Sequence, residues 1–301
     1  MKNLLFLLAI CGLVFACNDD DANNSSNNNE VVGLSTAMSN NDFLETDRNI
    51  QDALNAAGPV SIITQISHTG NAIANGLALR NTKVLLFGNP MLGTPLMQEN
   101  QLAGLDLPQK MLIHENAEGN VFVSYNNAEY LKNRHDLQNT TELDNISTAL
   151  STFASTAAGA QVTMVGAGSI TANQGIVVKQ SSNNFGETYT RLMNALNANP
   201  NITVVTELDH SANAEMVNLD LRPTRLVVFG NPALGTPIMQ SSQTTGIDLP
   251  QKMLVYEDEN GDVFVAYNNI NYIAARHDAS STTLEMVSTA LDNFSNAAIS
   301  Q

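Results

Sequence analysis

Phe87-Gly88-Asn89-Pro90-Met91-Leu92-Gly93-Thr94-Pro95-Leu96-Met97-Gln98 is written a second time as Phe229 to Gln240, with only Met91 and Leu96 replaced, by Ala233 and Ile238. The offset is 142 residues, and the same offset aligns Phe43 with Phe185, His68 with His210, Asp106 with Asp248, Tyr125 with Tyr267 and His135 with His277. A long-period self-similarity of this kind marks a duplicated structural unit. The 301 residues therefore divide into repeat 1 (33–154), a linker (155–174) rich in Ala, Gly, Ser and Thr, and repeat 2 (175–301). Each unit is long enough to bury a core without disulfides or metal.

The copies have drifted unevenly. Phe43 to Arg80 shares 14 of 38 residues with Phe185 to Arg222, whereas the quoted block shares 10 of 12, and Gly104 to Leu112 shares 8 of 9 with Gly246 to Leu254. Uniform decay after duplication would not leave such islands, so the retained blocks carry a constraint of packing or of a site.

Repeat 2 is the clearer text for local structure. Gly175 to Lys179 reads as a short strand, and Ser181 to Asn184 supplies capping side chains for a following helix. In that helix Phe185, Tyr189, Leu192, Met193 and Leu196 recur on one face, until Asn199-Pro200 ends it. Ile202 to Leu208 is β-branched and strand-like, and Leu226 to Phe229 is a continuous apolar run suited to a strand covered on both faces. Met253–Tyr256 and Val263–Tyr267 flank a turn centred on Asn260-Gly261, a hairpin signature. Asn271 to Arg276 and a longer stripe through Leu284, Val287, Leu291 and Phe294 read as closing helices. The order strand, helix, four strands, helix predicts an α+β domain whose helices cover one face of a largely antiparallel sheet.

At the other end, Met1-Lys2-Asn3 and the apolar run Leu4 to Val14 have the layout of an export signal, too short for a membrane-spanning helix. Ala16-Cys17 resembles the lipobox of bacterial lipoproteins, which predicts a signal peptide at 1–16, acylation of Cys17 and a flexible acidic, Asn-rich tether at 17–32. An ordinary secretory signal with a coincidental cysteine is the alternative. Acylation would make the membrane a partner through Cys17 and place the protein in the cell envelope as an outer-membrane lipoprotein, with Asp19 to Asp21 resembling a surface-export signal or serving as a solvated spacer. Cys11 leaves with the signal, so no disulfide framework is expected. The net charge of −16, without any Lys/Arg cluster, excludes a nucleic-acid footprint.

Candidate site residues come from the retained positions. Asn89-Pro90 and Asn231-Pro232 leave the central strand, and Thr94-Pro95 and Thr236-Pro237 read as N-caps with proline at the first helical position, followed by Met97 and Met239. A helix start offers free N–H groups to an anion or simply caps itself. Asp106 with Lys110, and Asp248 with Lys252, read as ion pairs or turn hydrogen bonds at a strand start. His135 and His277 follow an arginine at a helix end, where a cation meets the negative dipole end. His68 and His210 close a strand, with Asp209 beside the second, and suit proton transfer with Asp106 and Asp248, or metal binding with ligands gathered from distant positions. No metal or cofactor motif, phosphate-binding loop or nucleophile elbow occurs.

Phe-Gly-Asn-Pro-x-x-Gly-Thr-Pro-x-Met, then Gly-x-Asp-Leu-Pro-x-Lys, Tyr-Asn and Arg-His resemble the family called domain of unknown function 302. In repeat 2 the resemblance runs from about Gly175 to Ile299 and includes Asp209-His210 and Leu221-Arg222-Pro223-Thr224; repeat 1 departs at Asn81, where the pattern has proline. The resemblance implies a TBP-like β-α-β4-α fold and dimer formation by single-domain relatives, hence an internal pseudo-dimer here. It implies neither DNA binding nor a reaction. Three functions stay open: a small-molecule-binding or sensing module in which His and Asn side chains line an apolar pocket beside Met97 or Met239, a His/Asp-dependent enzyme, and a purely structural surface protein. The first two expect His68, Asn89 and His135 to converge on one cleft.

Overall fold

The computed structural model describes residues 30–300; the expected signal peptide, Cys17 and most of the expected tether lie outside the described residues. Repeat 1 runs β1 (Leu34–Met38), α1 (Phe43–Ala56), β2 (Ser61–Ser67), α2 (His68–Ala74), β3 (Thr82–Gly88), α3 (Pro90–Glu99), a 3-10 turn (Gln101–Leu105), β4 (Gln109–Glu115), β5 (Val121–Asn126), α4 (Ala128–His135) and α5 (Thr140–Ala158). After the short β6 (Thr163–Met164), repeat 2 repeats the series: β7 (Ile176–Gln180), α6 (Phe185–Asn197), β8 (Thr203–Asp209), α7 (His210–Met216), β9 (Thr224–Gly230), α8 (Pro232–Ser241), a 3-10 turn (Gln243–Ile247), β10 (Gln251–Glu257), β11 (Val263–Asn268), α9 (Ile270–Arg276) and α10 (Leu284–Ile299). The expected β-α-β4-α order holds in both, with short helices inserted between its strands.

Each sheet is antiparallel, ordered β2-β3-β4-β5-β1-β6 in repeat 1 and β7-β11-β10-β9-β8 in repeat 2. Because successive side chains of a strand point to opposite faces, the apolar runs of the central strands divide between two cores. Leu85 and Phe87 join Ile50 and Leu54 of α1 and Ile146, Leu150 and Phe153 of α5. Val227 and Phe229 do the same with Leu192 and Leu196 of α6 and Leu291 and Phe294 of α10. The alternate residues Val84, Leu86 and Leu112 meet Leu226, Val228 and Leu254 in a third core that belongs to both repeats. Helices thus cover one face of each sheet, and the other faces pack on each other as an internal pseudo-dimer.

The linker differs from its expected form. Helix α5 continues to Ala158, and Thr163-Met164 pairs with Ser35-Thr36 at the edge of the first sheet, so this segment belongs to repeat 1 instead of leading into the first strand of repeat 2. In the hairpin turn only Gly261 has positive φ, +82°, as does Gly119 in repeat 1; Asn260 does not.

Candidate functional site

The helix after the central strand begins earlier than its second proline suggested. Asn89 caps α3 by accepting a hydrogen bond from Met91 N–H at 3.0 Å, Pro90 occupies the first helical position, and Pro95 lies inside the helix. Asn231 caps α8 alike. Two Asx-Pro-like starts stood in the sequence five residues apart, and the first one, at the strand exit, forms the cap. Thr94 and Thr236 are therefore mid-helix, fully buried, and their hydroxyls have no hydrogen-bond partner.

His68 and His210 do not close strands; they begin α2 and α7, with Ser67 and Asp209 as N-caps. Asp209 is engaged by Ala212 N–H and Arg225, as a cap carboxylate. Each histidine ring is delivered to the opposite repeat. His68 Nε2 bonds the carbonyl of Gly246 at 3.1 Å, and His210 packs on Gly104, its Nε2 without a well-formed hydrogen bond. Burial pushes both rings down to about 4, so they are neutral near pH 7.

This exchange builds two clefts related by the repeat. The larger, of about 400 Å³, is walled by Phe229, Asn231, Leu234, Thr236 and Met239 of repeat 2 and receives Ser67, His68 and Asn71 from repeat 1. The smaller, of about 180 Å³, is walled by Phe87, Asn89, Thr94 and Met97 of repeat 1 and receives His210 and Asn213 from repeat 2. Helices α10 and α5 close the respective sides through Phe294 and Phe153. In the larger cleft the carboxamide of Gln251, 6 % exposed, also lacks any partner.

Asp106, His135 and their counterparts stand elsewhere, in a buried ionic lattice between the sheets. Asp106 accepts from Arg134 at 2.7 Å and from His135 Nε2 at 2.8 Å; Asp248 accepts from Arg276 at 2.9 Å and His277 at 3.0 Å. The lysines cross over: Lys110 lies 3.3 Å from Asp248, and Lys252 3.7 Å from Asp106. Arg134 also reaches Asn268, and Arg276 reaches Asn126, each in the other repeat. Burial alone would raise both aspartates, but Arg134, His135 and Lys252 hold Asp106, and Lys110, His277 and Arg276 hold Asp248, well below the usual carboxylate range. Burial, then the proximity of Lys110, pushes Lys252 down to about 7.

Three expectations change accordingly. Asp106–Lys110 and Asp248–Lys252 are not pairs within a repeat. His135 and His277 are not helix-end cations, because burial lowers both and they donate as neutral rings to the aspartates. His68, Asn89 and His135 do not converge: His68 and Asn89 line different clefts, His135 lines neither, and no Asp106 or Asp248 carboxylate meets His68 or His210. What does converge is His68 with Asn231, Thr236 and Met239, and His210 with Asn89, Thr94 and Met97. Sequence reading also passed over Gln101 and Gln243, which reach across to Thr224 and Thr82 and accept from Arg222 and Arg80. Their identity at the repeat offset was the available signal. Among the described residues, no cluster of three or more His, Cys, Asp or Glu side chains is arranged to hold a metal.

The family model described as domain of unknown function DUF302 matches residues 35–153 and again 177–298. Curated relatives include "Fluoride-specific ion channel FluC 1" of Brucella suis biovar 1 (strain 1330), 38% identical over 105 residues that cover 35% of this chain and 41% of that protein. The like-named protein of Brucella abortus biovar 1 (strain 9-941) is 38% identical over 35% of this chain and 38% of its own. The chain thus spans about two fifths of the length of these relatives. A solved DUF302 protein from Bacillus stearothermophilus aligns over 42% of this chain and 96% of its own, with a TM-score of 0.35 and 17% identity.

Proposed function

The chain belongs to the DUF302 family, twice over, and on that premise we propose that it is a small-molecule-binding module of the cell envelope whose two clefts are each shared between the repeats. One observation carries the reading: the retained Gly-Thr-Pro block places in the lining of each cleft a threonine that is fully buried and whose hydroxyl has no partner within the protein. An unmet buried polar group costs about 1–3 kcal/mol, and a neutral structural role would have let drift replace it. A ligand group that bonds to it removes that cost.

Catalysis by His68 or His210 with an aspartate has less support, since the aspartates serve the ionic lattice and both clefts lack a second titratable group. Ion transport belongs to the channels as whole proteins; no described helix is long and apolar enough to cross a membrane, and the match covers too little of them to carry that activity here. We place the module at the outer membrane through acylated Cys17, with residues 17–32 as its tether. Cys17→Ser should move the protein from the membrane fraction to the soluble one; unchanged fractionation would remove the anchor.

The binding reading is tested by thermal-shift screening of neutral small molecules against the wild type and Leu234→Trp, which fills the larger cleft. Compounds that raise the wild-type midpoint should lose their effect in the variant. If every stabilising compound acts equally on both, the cleft is not the binding site.

A further inference from the structure

The wall of the larger cleft specifies its occupant more narrowly. Among the described residues lining either cleft there is no Lys, Arg, Asp or Glu. The histidine that enters is neutral and already donates to Gly246. An ionised carboxylate, phosphate or ammonium would leave water for a site with no countercharge, which burial penalises heavily. A pure hydrocarbon, by contrast, would leave the Thr236 hydroxyl and both polar atoms of Gln251 unmet.

We propose that the larger cleft takes an uncharged, largely apolar molecule bearing one or two hydrogen-bonding groups, such as a hydroxyl or amide, that engage Thr236 and Gln251. This rests on the binding reading above and narrows it. A hydroxyl can accept from the carboxamide N–H of Gln251 or donate to the threonine oxygen, and an amide can also donate to the carboxamide oxygen, so one or two small polar groups answer these unmet atoms. The aliphatic remainder lies along Phe229, Leu234, Met239 and Leu291. The repeat 1 cleft has less than half the volume and should hold such a molecule more weakly.

The test uses residues 17–301 with Cys17→Ser, so that no acyl chain competes. N-phenyl-1-naphthylamine, a neutral apolar fluorophore, is bound and then displaced with 1-decanol, decanoate at pH 8 or decyltrimethylammonium. Decanol should displace it at a concentration at least tenfold lower than either ion. Thr236→Val should weaken decanol roughly fivefold to tenfold, the loss expected for one hydrogen bond, without lowering the thermal midpoint, because that hydroxyl bonds nothing within the protein. Either ion displacing as well as decanol, with Leu234→Trp still abolishing probe binding, would overturn the ligand class and leave the site. Probe binding that is absent, or unaffected by Leu234→Trp, would overturn the site itself.

Discussion

A histidine held neutral inside a protein makes stability depend on pH in a defined direction. His114, His68 and His210 are depressed to about 4 by burial, and His135 and His277 are depressed as well. In the unfolded chain each would titrate near 6.5. The contribution to stability is therefore complete above that value and is lost as pH falls below it, for His114, His68 and His210 down toward 4, because protons bind the unfolded state first. Each such ring adds about 1.4 kcal/mol per pH unit to the slope in that window. His114 provides the cleanest test, since repeat 2 carries Tyr256 at the matched position and both rings stack on a phenylalanine, Phe122 at 5.4 Å and Phe264 at 5.3 Å. His114→Tyr should fold and reduce the slope of urea-derived stability near pH 5 by about that amount. An unchanged slope would mean that the ring is protonated in the native state. The choice of partners at this scale was not legible: Asp106 and Lys110 sit together in sequence and belong to opposite ion pairs in space, and duplicated residues offer no signal that distinguishes a partner in one copy from its twin.

Among the elements, those with enough length to show a period were readable. The faces of α6 and α10, the hairpin between β10 and β11, and the two-sided apolar β9 all stand where the sequence placed them. Helices α2 and α7, at seven residues, are too short for a periodic stripe, and β6, at two, is made by pairing alone. The start of α3 went astray because Thr94-Pro95 imitates a cap. The two possibilities separate by mutation. With Asn89 as cap, Asn89→Ala should cost about 1 kcal/mol, whereas Thr94→Val should cost nothing and can stabilise, since it replaces an unpartnered buried hydroxyl by a methyl group. Urea unfolding of the two variants reads this directly, and the reverse order of effects would return the cap to Thr94. The same logic explains why Gly104 and Gly246 stayed glycine: a Cβ at either would stand 3.0 Å from Leu254 or Leu112 across the interface and 3.4 Å from the histidine of the other repeat.

At the level of the whole molecule, the retained blocks fall into two groups with one cause. Phe87 to Gln98 walls a cleft that the other repeat completes, and Gly104 to Leu112 supplies the aspartate, lysine and close glycine of the contact between sheets. Both depend on the partner copy, so drift was tolerated chiefly where a repeat touches only itself. It follows that neither repeat is a finished domain. Isolated, repeat 2 would expose Leu226, Val228 and Leu254 to water and leave Asp248 without Lys110 and Lys252 without Asp106. Uncovering that apolar face forfeits roughly 25 cal/mol for each Å² returned to water, a large fraction of the stability of a small domain. Two copies of repeat 2 can restore these contacts, because Lys252 of each can meet Asp248 of the other, and Arg276 can meet Asn268. Residues 175–301 expressed alone should therefore sediment as a homodimer at micromolar concentration and lose cooperative unfolding on dilution. A monomer that stays folded at nanomolar concentration would show that the sheet contact is dispensable, and with it the requirement that each cleft be shared.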